Sequence, residues 1–343
     1  MNNDIEMTES LPNKPQTLFE TLLSDNNLPL IEKYRPKTLK DIVSHEEILK
    51  TINIFVEKKS IPHLLFHGPP GTGKTSCILS IARMMYGENF RKMTLELNAS
   101  DDRGINIVRE RIKEFCNTLN ISSKAGVKLV ILDEADMMTS AAQFALRRVI
   151  EKYTKNVRFC LICNQVSKII PAIQSRCMRF RFSPLKKEQC LERIQQICER
   201  ENIPIDEETI YKIIEIGGGD MRKILNIVES THMSYGIVNT ENVFACTGLP
   251  SDNQTDYLFK IAYEENFSRA FEILLDFKVK NGFSTNDLVL EMLKKIRARS
   301  DLDTQIKMKL YKKFQKMDYL NNIGGNEKIV LSNLISSIIL LKK

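Results

Sequence analysis

The chain has 343 residues, of which 43% are hydrophobic and 27% are charged, a length and composition typical of globular proteins with two or three domains. No segment approaches the roughly 20 consecutive apolar residues of a membrane-spanning helix, and residues 1–27 lack the basic start and apolar run of a secretory signal. The net charge is +7, and because residues 1–27 carry −4, the remaining residues carry +11, which is compatible with a polyanionic partner.

Strand and helix patterns alternate in the first half of the chain. Residues 1–27 are polar and are predicted to form a flexible tail. Apolar runs predict strands at residues 61–66, 94–97, 127–132 and 157–163, and helical spacing predicts helices at residues 76–85, 105–115 and 141–153. This alternation predicts an α/β fold in which helices cover both faces of a parallel sheet.

The second half of the chain reads as helical throughout. Proline and glycine interrupt the pattern near Pro184 and near Pro250. We therefore predict a strand-containing domain over residues 28–183, a small helical domain over residues 184–249, and a third, helical domain over residues 250–343.

A phosphate-binding motif lies between the first predicted strand and the following helix. Residues 68–75, GPPGTGKT, match G-x-x-x-x-G-K-[ST]. The glycines let backbone N–H groups surround the phosphates at the positive end of the helix. Lys74 is expected to reach the β- and γ-phosphates and Thr75 to hold Mg²⁺. A chance glycine-rich turn is the alternative, but the strand and helix on either side are the context that the motif requires.

A second, acidic motif follows the third predicted strand. The run Leu129–Leu132 is apolar and is followed directly by Asp133 and Glu134. We expect the strand to deliver Asp133 to the Mg²⁺ shell and to place Glu134 where it polarises the attacking water. Asp136 is open to a plainer interpretation, as a cap of the next helix.

The acidic motif also spells the signature of DEAD-box RNA helicases, Asp133-Glu134-Ala135-Asp136. That class needs a second RecA-like domain with its own alternation of strands and helices. Residues 184–343 are helical in pattern and too few for one, so we reject a helicase.

The eight cysteines, in a chain without a signal peptide, indicate reduced thiols inside the cell. The one close pair, Cys160 and Cys163, lies in a predicted strand, where positions i and i+3 point to opposite faces. The pair is therefore not expected to chelate one metal ion, and we predict Mg²⁺ but no zinc site.

Beyond these motifs, the chain resembles the small subunits of replication factor C, the clamp loader of eukaryotic replication. The matching segments keep the family order: residues 32–36 (EKYRP), 67–75, 98–105, 133–136, 145–148, 163–164, 175–177 (SRC) and 219–222 (GDMR). The SRC element and the EKYRP segment together are specific to clamp loaders. One departure is Leu30, where family members usually carry tryptophan.

The resemblance implies an AAA+ ATPase domain, a helical lid and a helical collar that joins five different subunits into a ring. It implies that Asn164 senses the γ-phosphate and that Arg222 contacts the phosphates of the chain's own ATP. It also places Ile31, Arg35 and Val43 near the adenine. The residues expected around ATP are therefore Ile31, Arg35, Val43, Pro70, Gly71, Thr72, Gly73, Lys74, Thr75, Asn164 and Arg222.

The resemblance further implies contacts outside the chain. Arg176, in the SRC element, is expected to act in trans as an arginine finger on the ATP of the neighbouring subunit, although a structural salt bridge is the alternative. The residues expected to contact primer–template DNA phosphates are Arg103, Arg109 and Lys168, and those expected to contact the sliding clamp are Ile112, Phe115 and Cys116. Solvated surface charge and plain core are the respective alternatives.

The function implied is that of a nuclear ATPase subunit that, with four others, opens the sliding clamp and closes it around primed DNA. One alternative is a subunit in which ATP holds the ring together without being hydrolysed. Another is a different AAA+ machine acting on DNA, such as an origin-binding or branch-migration ATPase.

Overall fold

The computed structural model of the chain describes residues 28–42, 44–58, 60–99, 105–117, 127–299 and 303–339. The predicted tail, Val43 and Arg103 lie outside these residues, and so does the side chain of Arg109. The described residues fall into two compact units. The first comprises those of Met1–Ile197 and Ile214–Glu229, and the second those of Cys198–Ile213 and Ser230–Lys343.

A five-stranded parallel sheet organises the first unit. Its strands are β1 (Leu64–His67), β2 (Thr94–Asn98), β3 (Lys128–Asp133), β4 (Val157–Cys163) and β5 (Met178–Arg181). They lie in the order β2-β3-β4-β1-β5, and every pairing is parallel. This confirms the predicted α/β class. Because His67 pairs with Cys163 and Asn98 with Asp133, the loops after β1, β3 and β4 all begin at one edge of the sheet.

Two strands differ from the sequence prediction. The first begins at Leu64 rather than at residue 61. Pro62 lies among the three predicted residues that are not in the strand, and it has no N–H to donate to a neighbouring strand. The edge strand β5 was not predicted, because its four residues include two arginines and three of them are exposed. Charged, short edge strands are a common protection against unwanted pairing, and they carry little hydrophobic signal.

The helices of the described residues surround this sheet in the first unit and make up most of the second. In chain order they are α1 (Leu30–Lys33), α2 (Glu46–Glu57), α3 (Lys74–Tyr86), α4 (Phe90–Met93), α5 (Ile105–Asn117), α6 (Ser140–Tyr153), α7 (Pro171–Gln174), α8 (Lys187–Glu201), α9 (Glu207–Gly217), α10 (Met221–Tyr235), α11 (Thr240–Thr247), α12 (Asp252–Glu264), α13 (Phe267–Asn281), α14 (Thr285–Ala298), α15 (Thr304–Asn322) and α16 (Glu327–Ile339). Within the described part of the chain, none of them is long and apolar enough to cross a membrane.

Each face of the sheet has its own apolar core. Alternate residues of β1, β3 and β4, such as Phe66 and Cys160, pack in one cluster with residues of α3. The intervening residues, such as Leu65 and Cys163, pack in the other with Ile112 of α5 and with residues of α6. Cys160 and Cys163 thus lie on opposite faces of β4, as strand geometry requires. Burying each large aliphatic side chain stabilises the fold by about 1.5–3 kcal/mol.

The second unit has a separate, helical core. Residues of α12 to α16, including Leu258, Leu288, Phe314 and Leu334, form one buried cluster. Helix α12 begins with a capping box, in which the Gln254 N–H donates to Ser251 Oγ and the Ser251 N–H donates to Gln254 Oε1. This helical bundle is stable through packing and caps, without a sheet.

Candidate active site

The loop after β1 turns sharply into α3. Gly71 and Gly73 have φ of +68° and +87°, the left-handed region that side chains rarely adopt. Gly73 directly precedes α3, which starts at Lys74. The loop therefore presents its backbone and the amino end of a 13-residue helix to the sheet edge, the arrangement that binds phosphate.

The side chain of Lys74 folds back onto this loop. Its Nζ donates to the carbonyl oxygens of Gly68 and Pro69, each at 2.7 Å, and to Asn164 Oδ1 at 3.1 Å. Burial lowers the pKa of the Lys74 ammonium, and the Asp133 carboxylate opposes that shift. The lysine expected to bind phosphate and the asparagine expected to sense it are thus in direct contact.

Thr75 and Asp133 meet at the same edge. Thr75 Oγ1 donates to Asp133 Oδ2 at 2.7 Å, and Asp133 is the last residue of β3. A hydroxyl and a carboxylate are the oxygen donors that Mg²⁺ takes from proteins at phosphate sites, so the two residues fit a Mg²⁺ ion. Their contact across 58 residues of sequence follows from the parallel order of the strands.

Glu134 has an unusual backbone for a residue with a side chain. Its φ is +53° and its ψ is +36°, and its N–H donates to Asp133 Oδ1 at 2.8 Å. Such left-handed residues are strained by about 1–3 kcal/mol and cluster at functional sites. Glu134, Lys74, Asn164 and Arg222 line one small cavity, which places the expected base beside the expected phosphate ligands.

Asp136 does not cap the helix that follows it. Thr139 occupies that cap and accepts from the Ala142 N–H. The Asp136 carboxylate instead accepts from the backbone N–H groups of Asn164 and Gln165, at 3.2 and 3.1 Å. It fixes the end of β4 from which the Asn164 side chain reaches Lys74, so the plainer interpretation of Asp136 is wrong and a positioning role replaces it.

A larger cavity of about 410 Å³ adjoins the loop. Ile31 and Arg35 line it, together with Gly71, Thr75 and Arg222. Its size falls within the range of small-molecule sites. The structure therefore brings both predicted adenine-side residues that it describes next to the phosphate loop.

The structure also explains how Arg222 reaches this cavity. Asp220 Oδ1 accepts from the Arg222 N–H at 2.9 Å and so helps to start α10. The same carboxylate lies against Gly71, where an added Cβ would come within 1.6 Å of it. Asp220 thus connects the start of α10 to the phosphate loop, and no motif made this connection visible in the sequence.

Other lining residues were missed by sequence reasoning. Leu185, Arg193, Met221 and Leu225 also line the larger cavity. Arg193, on α8, donates from Nη2 to the carbonyl oxygen of Tyr34 at 3.3 Å. Arg193, Met221 and Leu225 look like ordinary positions of amphipathic helices, and Leu185 lies in the segment before α8. The only signal for them was the predicted contact of Arg222, in the same helical region, with the phosphates.

Arg176 lies outside both cavities. It follows α7, donates from Nη1 to the Ala172 carbonyl oxygen at 2.7 Å, and pairs through Nη2 with Glu151 Oε1 at 2.6 Å. About a third of its side chain is exposed. The intrachain salt bridge that we weighed as an alternative is therefore present, and a role in trans stays a prediction.

The residues predicted to contact DNA and the clamp are distributed along the same domain. Lys168 is exposed on a turn after β4. Ile112 and Cys116 are buried in the sheet-face core, whereas Phe115 is half-buried and its carbonyl oxygen accepts from Lys128 Nζ at 2.8 Å. Ile112 and Cys116 thus contribute to the core, and the clamp contact stays a prediction.

The fold and this site define the class of the protein. The family model described as "ATPase family associated with various cellular activities (AAA)" matches residues 64–185. This range includes β1, β3 and β4 and, at their ends, Lys74, Thr75, Asp133, Glu134 and Asn164. Among solved structures, the RuvB Holliday junction branch migration motor of Thermotoga maritima is similar in fold, with a TM-score of 0.50 and 16% identity over 67% of this chain and 78% of that one. The chain is an AAA ATPase that binds nucleotide.

Comparison with curated proteins narrows the class. The model of the replication factor C C-terminal domain matches residues 250–337. Replication factor C subunit 5 of Homo sapiens is 47% identical over 312 residues, 91% of each chain, and replication factor C subunit 3 of Saccharomyces cerevisiae is 41% identical over 320 residues, 92% of this chain and 94% of that one. The chain belongs to the replication factor C small-subunit family.

This result confirms the resemblance found in the sequence. Within the family, residues 167–174, SKIIPAIQ, resemble the small subunit numbered five in animals and three in yeast. The subunits with those numbers in Homo sapiens and Saccharomyces cerevisiae are among the relatives that match most of the chain.

Proposed function

We propose that this chain is an ATP-hydrolysing subunit of the nuclear clamp loader. With four other subunits it forms a ring that opens the sliding clamp and closes it around primer–template DNA, for replication and repair. Residues 28–183 are its ATPase domain, residues 184–249 its lid and residues 250–343 the collar that joins the ring. Membership of the replication factor C small-subunit family and the match to its C-terminal domain support this proposal.

The observation that carries the hydrolytic role is the convergence at one sheet edge. Lys74 contacts Asn164, and Thr75 contacts Asp133, with Glu134 beside the same small cavity. A subunit that used ATP only to hold the ring together would need the phosphate loop, but not a carboxylate base and a sensor arranged around it. The geometry therefore favours hydrolysis over a purely structural use of ATP.

Each residue has a distinct task in this proposal. Lys74 and Arg222 neutralise the charge of the phosphates, and the amino end of α3 donates its N–H groups to them. Thr75 and Asp133 would hold Mg²⁺, which when bound withdraws charge from the phosphate oxygens. Glu134 accepts a proton from the attacking water, and Asn164 orients that water.

In the proposed ring, each ATP site is completed by an arginine of the neighbouring subunit. Arg176 of this chain is the proposed finger for the ATP of the adjacent subunit, because a guanidinium suits the charge that spreads over the transferring phosphoryl group.

The proposed contacts with DNA phosphates are made by Lys168, Arg103 and Arg109. Contacts of this kind recognise the shape and charge of DNA rather than its sequence, so binding weakens as salt rises.

The experiment that tests the proposal replaces Glu134 in the reconstituted complex. Glu134→Gln keeps the size and polarity of the side chain but removes the base, and is expected to slow hydrolysis at this site by about 10²–10⁴-fold. Clamp loading should then stall with ATP still bound. Glu272→Gln, at an exposed position in the second unit, is the matched control. Unchanged turnover and loading in the Glu134 variant would favour the structural use of ATP.

A further inference from the structure

Two arginines of the first unit share one carboxylate oxygen. Glu151 Oε1 pairs with Arg147 Nε at 3.0 Å and with Arg176 Nη2 at 2.6 Å. Arg147 lies one turn before Glu151 on α6, whereas Arg176 comes from the segment after α7. Glu151 therefore ties the proposed finger to a long helix that packs on the sheet.

The guanidinium of Arg176 is held on a second side as well. Its Nη1 donates to the carbonyl oxygen of Ala172, on α7, at 2.7 Å. A free arginine samples many rotamers, and each must be given up when the side chain binds a phosphate. Two fixed acceptors on separate elements remove most of that freedom in advance, while about a third of the side chain stays exposed.

The charges of the group explain why it contains a second arginine. A single Glu–Arg pair is neutral and would attract a neighbouring phosphate weakly. With Arg147 on the same oxygen, the two guanidinium groups and one carboxylate sum to +1. Hydrogen bonding and charge from Arg147, together with the charge of Arg176, lower the pKa of Glu151, so the carboxylate is ionised at neutral pH.

We infer that Glu151 is a positioning residue for Arg176, holding its guanidinium ready for the phosphates of the neighbouring subunit's ATP. The inference rests on the proposed finger role of Arg176. It requires little of Glu151 for folding, because ion pairs this exposed (34–40% for the three side chains) contribute little to stability. An effect on catalysis without an effect on unfolding is thus its signature.

The test uses the complete complex. The P-loop lysine is replaced at every other ATP site, so that hydrolysis is measured only at the neighbouring subunit's site that Arg176 is proposed to contact. Glu151→Ala is expected to lower kcat at that site about five- to tenfold, with the KM for ATP and the melting temperature of the isolated chain unchanged. Glu151→Gln, which keeps an acceptor without the charge, should lie between. Arg176→Ala should lower kcat by about 10³-fold, and Glu151→Ala should add nothing to it.

The control is Glu265→Ala, which removes another Glu–Arg pair spaced four residues apart, with Arg269, and should leave kcat unchanged. If Glu151→Ala leaves kcat unchanged or raises it while Arg176→Ala abolishes turnover, the positioning role of Glu151 is wrong and the finger stands. If Arg176→Ala itself has no effect, the finger role fails and the inference fails with it. A further loss from Glu151→Ala in the Arg176→Ala background would show that Glu151 acts by another route.

Discussion

Asp136 offers the sharpest test of how the site is held together. Its carboxylate accepts from two consecutive backbone N–H groups, those of Asn164 and Gln165. These bonds reach the backbone of Asn164 and not its side-chain amide. Asp136→Ala deletes both hydrogen bonds and leaves the Asn164 side chain itself intact. We expect the end of β4 to loosen and Asn164 to lose its fixed contact with Lys74.

The size of the effect follows from the bonds removed. A hydrogen bond to a charged acceptor contributes about 1.5–3 kcal/mol, and partial exposure of Asp136 puts each of these near the lower limit. Two such bonds restrain Asn164 by about 3 kcal/mol, enough to hold it in one position most of the time. A displacement of about 1 Å in a catalytic group can cost about 10²-fold in rate, so we expect a fall in kcat of about 10- to 50-fold.

Single-turnover hydrolysis in the reconstituted complex measures this directly. The loss for Asp136→Ala should not exceed the loss for Asn164→Ala, and ATP affinity should change less than threefold. Asp136→Asn, which keeps one carbonyl acceptor, should recover part of the rate. A kcat equal to that of the unsubstituted chain, or a loss larger than that of Asn164→Ala, would refute the positioning role.

Two further perturbations follow from the structure. Gly71→Ala should weaken ATP binding more than tenfold, because its Cβ would lie 1.6 Å from Asp220 Oδ1. Gly282→Ala, at another left-handed glycine (φ +69°) with nothing within 4 Å of the added Cβ, should cost about 1–2 kcal/mol of folding stability and leave ATP affinity unchanged. Equal losses of affinity in nucleotide titrations would contradict this. His63 is buried, accepts from the Phe159 N–H at 3.1 Å, and has its pKa lowered by burial to about 4. In the unfolded chain the His63 imidazole binds a proton near pH 6.5, so the free energy of unfolding should fall by about 2 kcal/mol from pH 7 to pH 5. Urea unfolding at the two pH values should show a smaller fall for His63→Gln than for the unsubstituted chain. An equal fall in both would refute this.

The sequence was most informative where the chemistry requires a fixed spacing. The phosphate loop and Asp133 could be placed because each follows an apolar strand, and the carboxyl ends of parallel strands meet at one edge. The predicted helix at residues 76–85 begins two residues earlier, at Lys74, because the first turn of the helix is itself part of the phosphate loop.

The remaining features depend on contacts that no local pattern encodes. The edge strand β5 is short and exposed, so its formation depends on pairing with β1 rather than on its own composition. Asp136 was ambiguous because a carboxylate after a strand can cap either a helix or another strand's end. Arg222 was found only through family resemblance. Asp220 links the start of its helix to Gly71 of the phosphate loop, and these two residues are far apart in sequence and meet only in the folded chain.

We propose that this chain hydrolyses ATP at a site that becomes active within a ring of subunits. The most direct measurement is ATP turnover by the purified chain, alone and then with the other clamp-loader subunits, the clamp and primed DNA, with Lys74→Ala alongside. We predict little turnover alone, a steep rise in the mixture, and a fall in both turnover and loading when Lys74 is replaced. If the Lys74→Ala chain enters the complex and changes neither turnover nor loading, the chain is a structural subunit and the hydrolytic account is wrong.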